Sequence, residues 1–163
     1  MLLLLVCRCV LGQDQNRRLN FVFVIDNEVP DIAVISNGFF LAKDSSGNLK
    51  DSIPFKYEVG DLMMSSDDYR KLFLDTYTAK LFMNFAWLEY MKGDTEIHYY
   101  EREIPRGWIN KLYMILYIYN YSNKESRTKY AIDKGGYNIR IMIPGMSMVV
   151  PVWKSYRKKH MNR

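Results

Sequence analysis

The chain has 163 residues, one ordinary domain's worth, and carries a formal net charge of +5. Hydrophobic residues at 48% and charged residues at 25% exclude a disordered profile, and the 15% of aromatic residues leans toward half-buried strands. Much of the positive excess lies in Lys154, Arg157, Lys158, Lys159 and Arg163, so the body is close to neutral; a specific nucleic-acid surface, which sets its cations on the folded body among aromatics, is not expected.

Residues 1–12 read as a signal peptide: Leu2 to Leu5, Val6, Val10 and Leu11 form a short apolar run, broken by Arg8, with Gly12 suited to a cleavage point. The run is much shorter than the ~20 apolar residues that span a bilayer, so no transmembrane segment is expected. Both cysteines, Cys7 and Cys9, fall inside it, which leaves residues 13–153 as a single domain without thiols and 154–163 as a basic tail. A secreted, extracellular location follows, and Asn120-Tyr121-Ser122 adds an N-glycosylation sequon at Asn120, in a polar turn.

Along the body, Asn20 to Asp26 is a buried-strand signal. Asp31–Ser36 and Phe39–Lys43 flank Asn37-Gly38, which predicts a two-residue hairpin because both positions tolerate positive φ. Ser45-Ser46-Gly47-Asn48 predicts a turn, and Phe55–Val59 alternates as a half-buried strand. Ser66 then caps an expected helix with Asp67 and Asp68 in its first turn. Tyr69, Leu72, Phe73, Tyr77, Leu81, Phe85 and Leu88 recur at three- and four-residue spacing, which predicts one long amphipathic helix near residues 66–92, stopped by Gly93. Strands follow at Thr95–Arg102, Leu112–Tyr119, Tyr137–Ile143 and Met146–Trp153. The predicted fold class is mainly β, or α+β: an antiparallel Ig-like β-sandwich with that helix laid against it.

Reactive groups are scarce. The two histidines are His98, on a strand opposite Ile97 and Tyr99 and expected to be exposed or hydrogen-bonded, and His160 in the tail. No His-x-x-x-His pair, no Gly-x-Ser-x-Gly elbow and no phosphate-binding glycine pattern occurs, so neither an enzyme nor a metal or cofactor site of the usual type is expected. The carboxylate pairs Glu101/Glu103 and Asp67/Asp68 read as one strand face and a helix start. Apolar capacity remains: ten methionines, whose unbranched thioethers adapt to irregular apolar shapes.

Val34-Ile35-Ser36-Asn37-Gly38-Phe39-Phe40, Lys92-Gly93 before a Tyr-rich strand, and Ile104-Pro105-Arg106-Gly107-Trp108 leading into Leu112-Tyr113-Met114-Ile115-Leu116 together resemble small secreted insect proteins of the MD-2-related lipid-recognition family, including chemosensory and pheromone-response members. Where that family carries cysteines this chain has Met63-Met64-Ser65 and Glu89-Tyr90-Met91. The resemblance implies a β-sandwich that opens between its sheets to admit a lipid, and it transfers no binding residue. The expected function is a secreted binder of a lipid or other small hydrophobic ligand, acting with a cell-surface receptor, with Phe23, Phe73, Tyr77, Phe85, Leu116, Ile141 and Met148 as apolar lining. The alternative is an extracellular protein–protein interaction or structural module with a filled core.

Overall fold

The structure is a computed structural model and describes residues 16–73, 80–109, 111, 113–130 and 136–145. The signal-peptide and tail segments, Tyr77, Met148 and the strand expected at 146–153 lie outside the described residues. No described helix is long and apolar enough to cross a membrane.

The fold is mainly β. In chain order the elements are β1 (Arg17–Ile25), a 3₁₀ turn (Ile32–Val34), β2 (Ile35–Lys43), β3 (Leu49–Glu58), β4 (Gly60–Met64), α1 (Ser66–Phe73), β5 (Lys80–Met91), β6 (Asp94–Glu103), α2 (Arg106–Ile109), β7 (Met114–Asn120), α3 (Lys124–Lys129) and β8 (Tyr137–Met142). The strands lie in the order β6-β5-β2-β3-β4-β1-β7-β8, and every junction is antiparallel except β1–β7, which is parallel. A parallel pair needs a long crossover, and everything between β1 and β7 in the chain supplies it.

Sequence alternation builds these strands. On β1, Leu19, Phe21, Phe23 and Ile25 are buried; on β3, Ile53, Phe55 and Tyr57 are buried while Ser52, Pro54 and Lys56 face solvent. The β2–β3 turn closes on Asp44, whose carboxylate Oδ1 accepts the Ser46 and Asn48 amides at 2.9 Å each, with Gly47 at φ 86°. The Asn48 amide, with Lys50 alongside, lowers the Asp44 carboxyl to about 2. β3 pairs with β2 over Leu49–Phe55 and with β4 over Lys56–Glu58, so it carries the sheet around a corner.

That corner folds the sheet onto itself. β1 and β5 are separated by three strands, which in a flat sheet would set them ~19 Å apart at ~4.8 Å per strand. Instead the Phe23 and Phe85 ring centroids are 4.3 Å apart, with Tyr57 4.7 Å from Phe23 and Tyr100 5.2 Å from Phe85. The two halves therefore face each other as in a sandwich, with aromatic rings meeting between them. On the far face of β7, Tyr119 stacks at 3.9 Å on Tyr130, which follows α3.

Three local expectations are corrected. The long helix over 66–92 is not there: α1 is described over Ser66–Phe73, and Lys80–Met91 is a twelve-residue strand between β2 and β6. Tyr77, Leu81 and Phe85 are four residues apart, and a four-residue step returns to the same side of a strand as well as of a helix. The deciding signal is Leu81, Met83 and Phe85, all buried, alternating with Phe82 and Asn84. Gly93 (φ 90°) is accordingly the turn of the β5–β6 hairpin, where Met91 pairs with Asp94. The α1 cap is Ser65 and not Ser66: its Oγ accepts the Asp68 amide at 3.1 Å and donates to the Asp68 carboxylate at 2.8 Å.

Asn37-Gly38 is not a hairpin turn either. It lies inside β2, where the pairing with β5 shifts between Ser36 and Phe39 to form a bulge. Gly38 sits opposite Phe55, and a Cβ there would fall 2.1 Å from the Phe55 ring. Glycine is needed because an aromatic ring from the next strand covers its backbone.

Candidate ligand-binding cleft

The outer face of the β2–β5–β6 half carries a cleft of about 320 Å3. Register places its residues. Phe39, Asn84 and Glu101 are successive cross-strand partners on β2, β5 and β6, and the next row pairs Ala86 with Tyr99. Ala86 is 2% exposed and has only a methyl to fill its position, so the floor is low between Phe39 and Tyr99. Tyr99 stands up from the rim at 70% exposure. Tyr137 reaches over from β8: its hydroxyl accepts the Glu101 amide at 3.1 Å, and its ring meets Tyr100 edge-on at 5.0 Å. Lys43 pairs with Glu101 at 3.6 Å.

One lining residue keeps an unsatisfied polar atom. Asn84 Nδ2 is shielded from solvent and has no hydrogen-bond partner. A buried donor left unpaired costs ~1–3 kcal/mol, so a rotation of the Asn84 amide toward an acceptor in the cleft would recover that penalty.

The residues predicted to line a pocket fall elsewhere. Phe23, Leu116 and Ile141 form one row across β1, β7 and β8, and Phe85 closes on Phe23 from the opposite half. Phe23 and Leu116 are fully buried in the main apolar cluster, and Ile141 packs against it. Phe73 packs on Tyr69 at 4.9 Å at the edge of the same cluster. The structure thus brings four of the seven together as interlocking core, and Phe85 alone of these four also lines the cleft. Asn84, Ala86 and Tyr99 were missed. The signal available was a polar residue inside the apolar run Phe82-Met83-Asn84-Phe85-Ala86, which a helical reading hides.

Asn120 also sits differently from expectation. It is the last residue of β7, 3% exposed, and not part of a polar turn. Its Nδ2 donates to Asp26 Oδ2 at 2.9 Å and its Oδ1 accepts the Tyr100 hydroxyl at 2.7 Å. Asp26, at φ 48°, also accepts the Asn120 amide at 3.0 Å and the buried Ser126 hydroxyl at 2.7 Å. A glycan on Asn120 would occupy the nitrogen that holds Asp26. Burial pushes the Tyr100 phenol far above its ordinary range, so it remains a donor to Asn120.

No family model matches the chain, and no curated protein or solved structure matches it significantly.

Proposed function

We propose that the protein binds a small, largely apolar molecule carrying one hydrogen-bond acceptor, in the cleft formed by Phe39, Asn84, Ala86, Tyr99 and Tyr137. The unpaired, shielded Asn84 Nδ2 among aromatic walls carries the reading. Small-molecule sites are mostly apolar with a few placed polar groups, and about 320 Å3 lies at the lower end of their ~300–1,000 Å3 range. That size suits a single ring or a short chain better than a lipid with several acyl chains. Ring contact between Phe23 and Phe85 supports a site on the outer face over one between the sheets. The resemblance to MD-2-related proteins supplies the class of ligand. A leader at residues 1–12 would deliver the binder outside the cell, and a chemosensory role with a surface receptor is the setting this reading proposes.

Calorimetry with acetophenone and with ethylbenzene, which lacks the carbonyl acceptor, tests it. Acetophenone should bind saturably and about two- to tenfold more tightly, the range of one net hydrogen bond. Asn84→Leu should erase that difference. Equal binding of the two probes to the wild type, or none, would contradict the proposal.

A second reading, an interaction module, draws on Tyr90, Ile97 and Tyr99, which are 66%, 49% and 70% exposed on the β5–β6 hairpin. Absence of probe binding together with self-association lost in Tyr99→Lys would favour it.

A further inference from the structure

The turn end of the β5–β6 hairpin holds a group of side chains that the cleft above does not use. Trp87 pairs with His98 and Glu89 pairs with Glu96, two cross-strand pairs that share one face. His98 is held flat on Trp87, ring centroids 5.0 Å apart at 27°, with its side chain 15% exposed. Its Nε2 lies 2.8 Å from Glu89 Oε2 and 4.0 Å from Glu96 Oε2. One ligand atom from each of the three residues falls within 4.8 Å of the others, and among the described residues no other group of three histidine, cysteine or carboxylate side chains does so.

Two further observations point to a cation. Glu89 and Glu96 are directly opposite across an antiparallel pair, where like charges destabilise. The cleft beside them, about 350 Å3, is lined also by Asp26 and Glu28; an adjoining one adds Asp31, and among the described residues no lysine or arginine lines either. A chain of net charge +5 thus gathers carboxylates around one imidazole.

We infer that Glu89, Glu96 and His98 bind one divalent transition-metal ion, with Zn2+ the best fit. One imidazole and two carboxylates suit such an ion, and three protein ligands leave a fourth position facing the acidic cleft. Zn–N and Zn–O bonds near 2.0–2.1 Å at a tetrahedral angle set donor atoms about 3.4 Å apart. The observed 2.8 and 4.0 Å straddle that value, so rotamer adjustment of two partly exposed glutamates completes the site. On binding, the neutral imidazole keeps its one proton on Nδ1 and gives its Nε2 lone pair to the metal, which takes the place of the Nε2–Glu89 hydrogen bond. Such a site escapes the usual spacing motifs because hairpin register, and not a helical repeat, assembles it.

The test is Zn2+ titration of the full chain against a chromogenic chelator at neutral pH, with Ca2+ as the hard-ion control and far-UV circular dichroism on every variant. One equivalent of Zn2+ should bind, and Ca2+ should not compete. Glu96→Gln, a change at a half-exposed side chain that leaves the hairpin intact, should weaken Zn2+ about tenfold or more, the scale on which even outer-shell partners act. His98→Gln should abolish stoichiometric uptake. No uptake at millimolar Zn2+ would overturn the proposal. Uptake indifferent to Glu96→Gln and His98→Gln, or lost when Cys7 and Cys9 become Ser, would overturn it equally.

Discussion

The middle and the turn end of the β5–β6 hairpin are built on opposite terms. Midway along it, Phe85 and Tyr100 are directly paired, and both are 2% exposed beneath the facing half of the sheet. Toward the turn, the next pairs on that face are Trp87–His98, partly buried, and Glu89–Glu96, more exposed and carrying two carboxylates. Where the second half of the fold covers the hairpin, packing dictates aromatic partners. Where the hairpin runs past that cover, it keeps side chains that cost stability and offer chemistry. The packed Phe85–Tyr100 pair and the proposed metal site therefore occupy different stretches of one element.

Breaking the covered end should have the largest effect. Phe23→Ala removes the ring that Phe21, Tyr57 and Phe85 all contact, and should cost ~3–5 kcal/mol in urea denaturation. Asn120→Ala leaves the Asp26 carboxylate and the Tyr100 hydroxyl each short of a partner, and should cost ~1–3 kcal/mol by the same measurement. Peptide mass spectrometry of folded protein from a eukaryotic host should find Asn120 unmodified. Gly38→Ala drives a methyl into the Phe55 ring and should cost ~1–3 kcal/mol, less when combined with Phe55→Leu.

Alkaline titration sharpens the contrast further. Tyr100 holds its proton well above the ordinary tyrosine range through burial, and Tyr119 does so through burial and then Tyr130. Both stay protonated in the fold after an unfolded chain would begin to ionise, so stability is full below about pH 10 and falls as pH rises beyond it. Absorbance at 295 nm should show these tyrosines ionising only as the protein unfolds. At the charged end the sign reverses. Glu96→Gln removes a like-charge pair and, without metal, should stabilise by ~0.2–1 kcal/mol.

Much of this was legible in sequence. Alternation marked β3, β6 and β8, continuous apolar runs marked β1 and β7, and the turn at Ser45–Asn48 carried its own turn chemistry. What failed was local ambiguity and long-range partnership. A four-residue aromatic step fits helix and strand alike, so β5 was read as helix, and with it the register that sets Asn84 beside Phe39 and Glu89 against Glu96. The burial of Asn120 depends on Asp26, 94 residues away, and Asn37-Gly38 becomes a bulge only because Phe55 of β3 lies over it. No local pattern encodes either contact. The cleft stayed hidden because its defining atom is an asparagine nitrogen left without a partner, which only tertiary structure reveals.

The most direct measurement is an isotope-edited NMR titration that follows the side-chain amides of Asn84 and Asn120 in one sample as acetophenone is added. Binding in the cleft predicts that the Asn84 amide protons move saturably while those of Asn120, already bonded to Asp26, stay fixed, and that ethylbenzene leaves out the hydrogen-bond component of the shift. A motionless Asn84, or identical shifts with both probes, would contradict the assignment of this cleft as the ligand site.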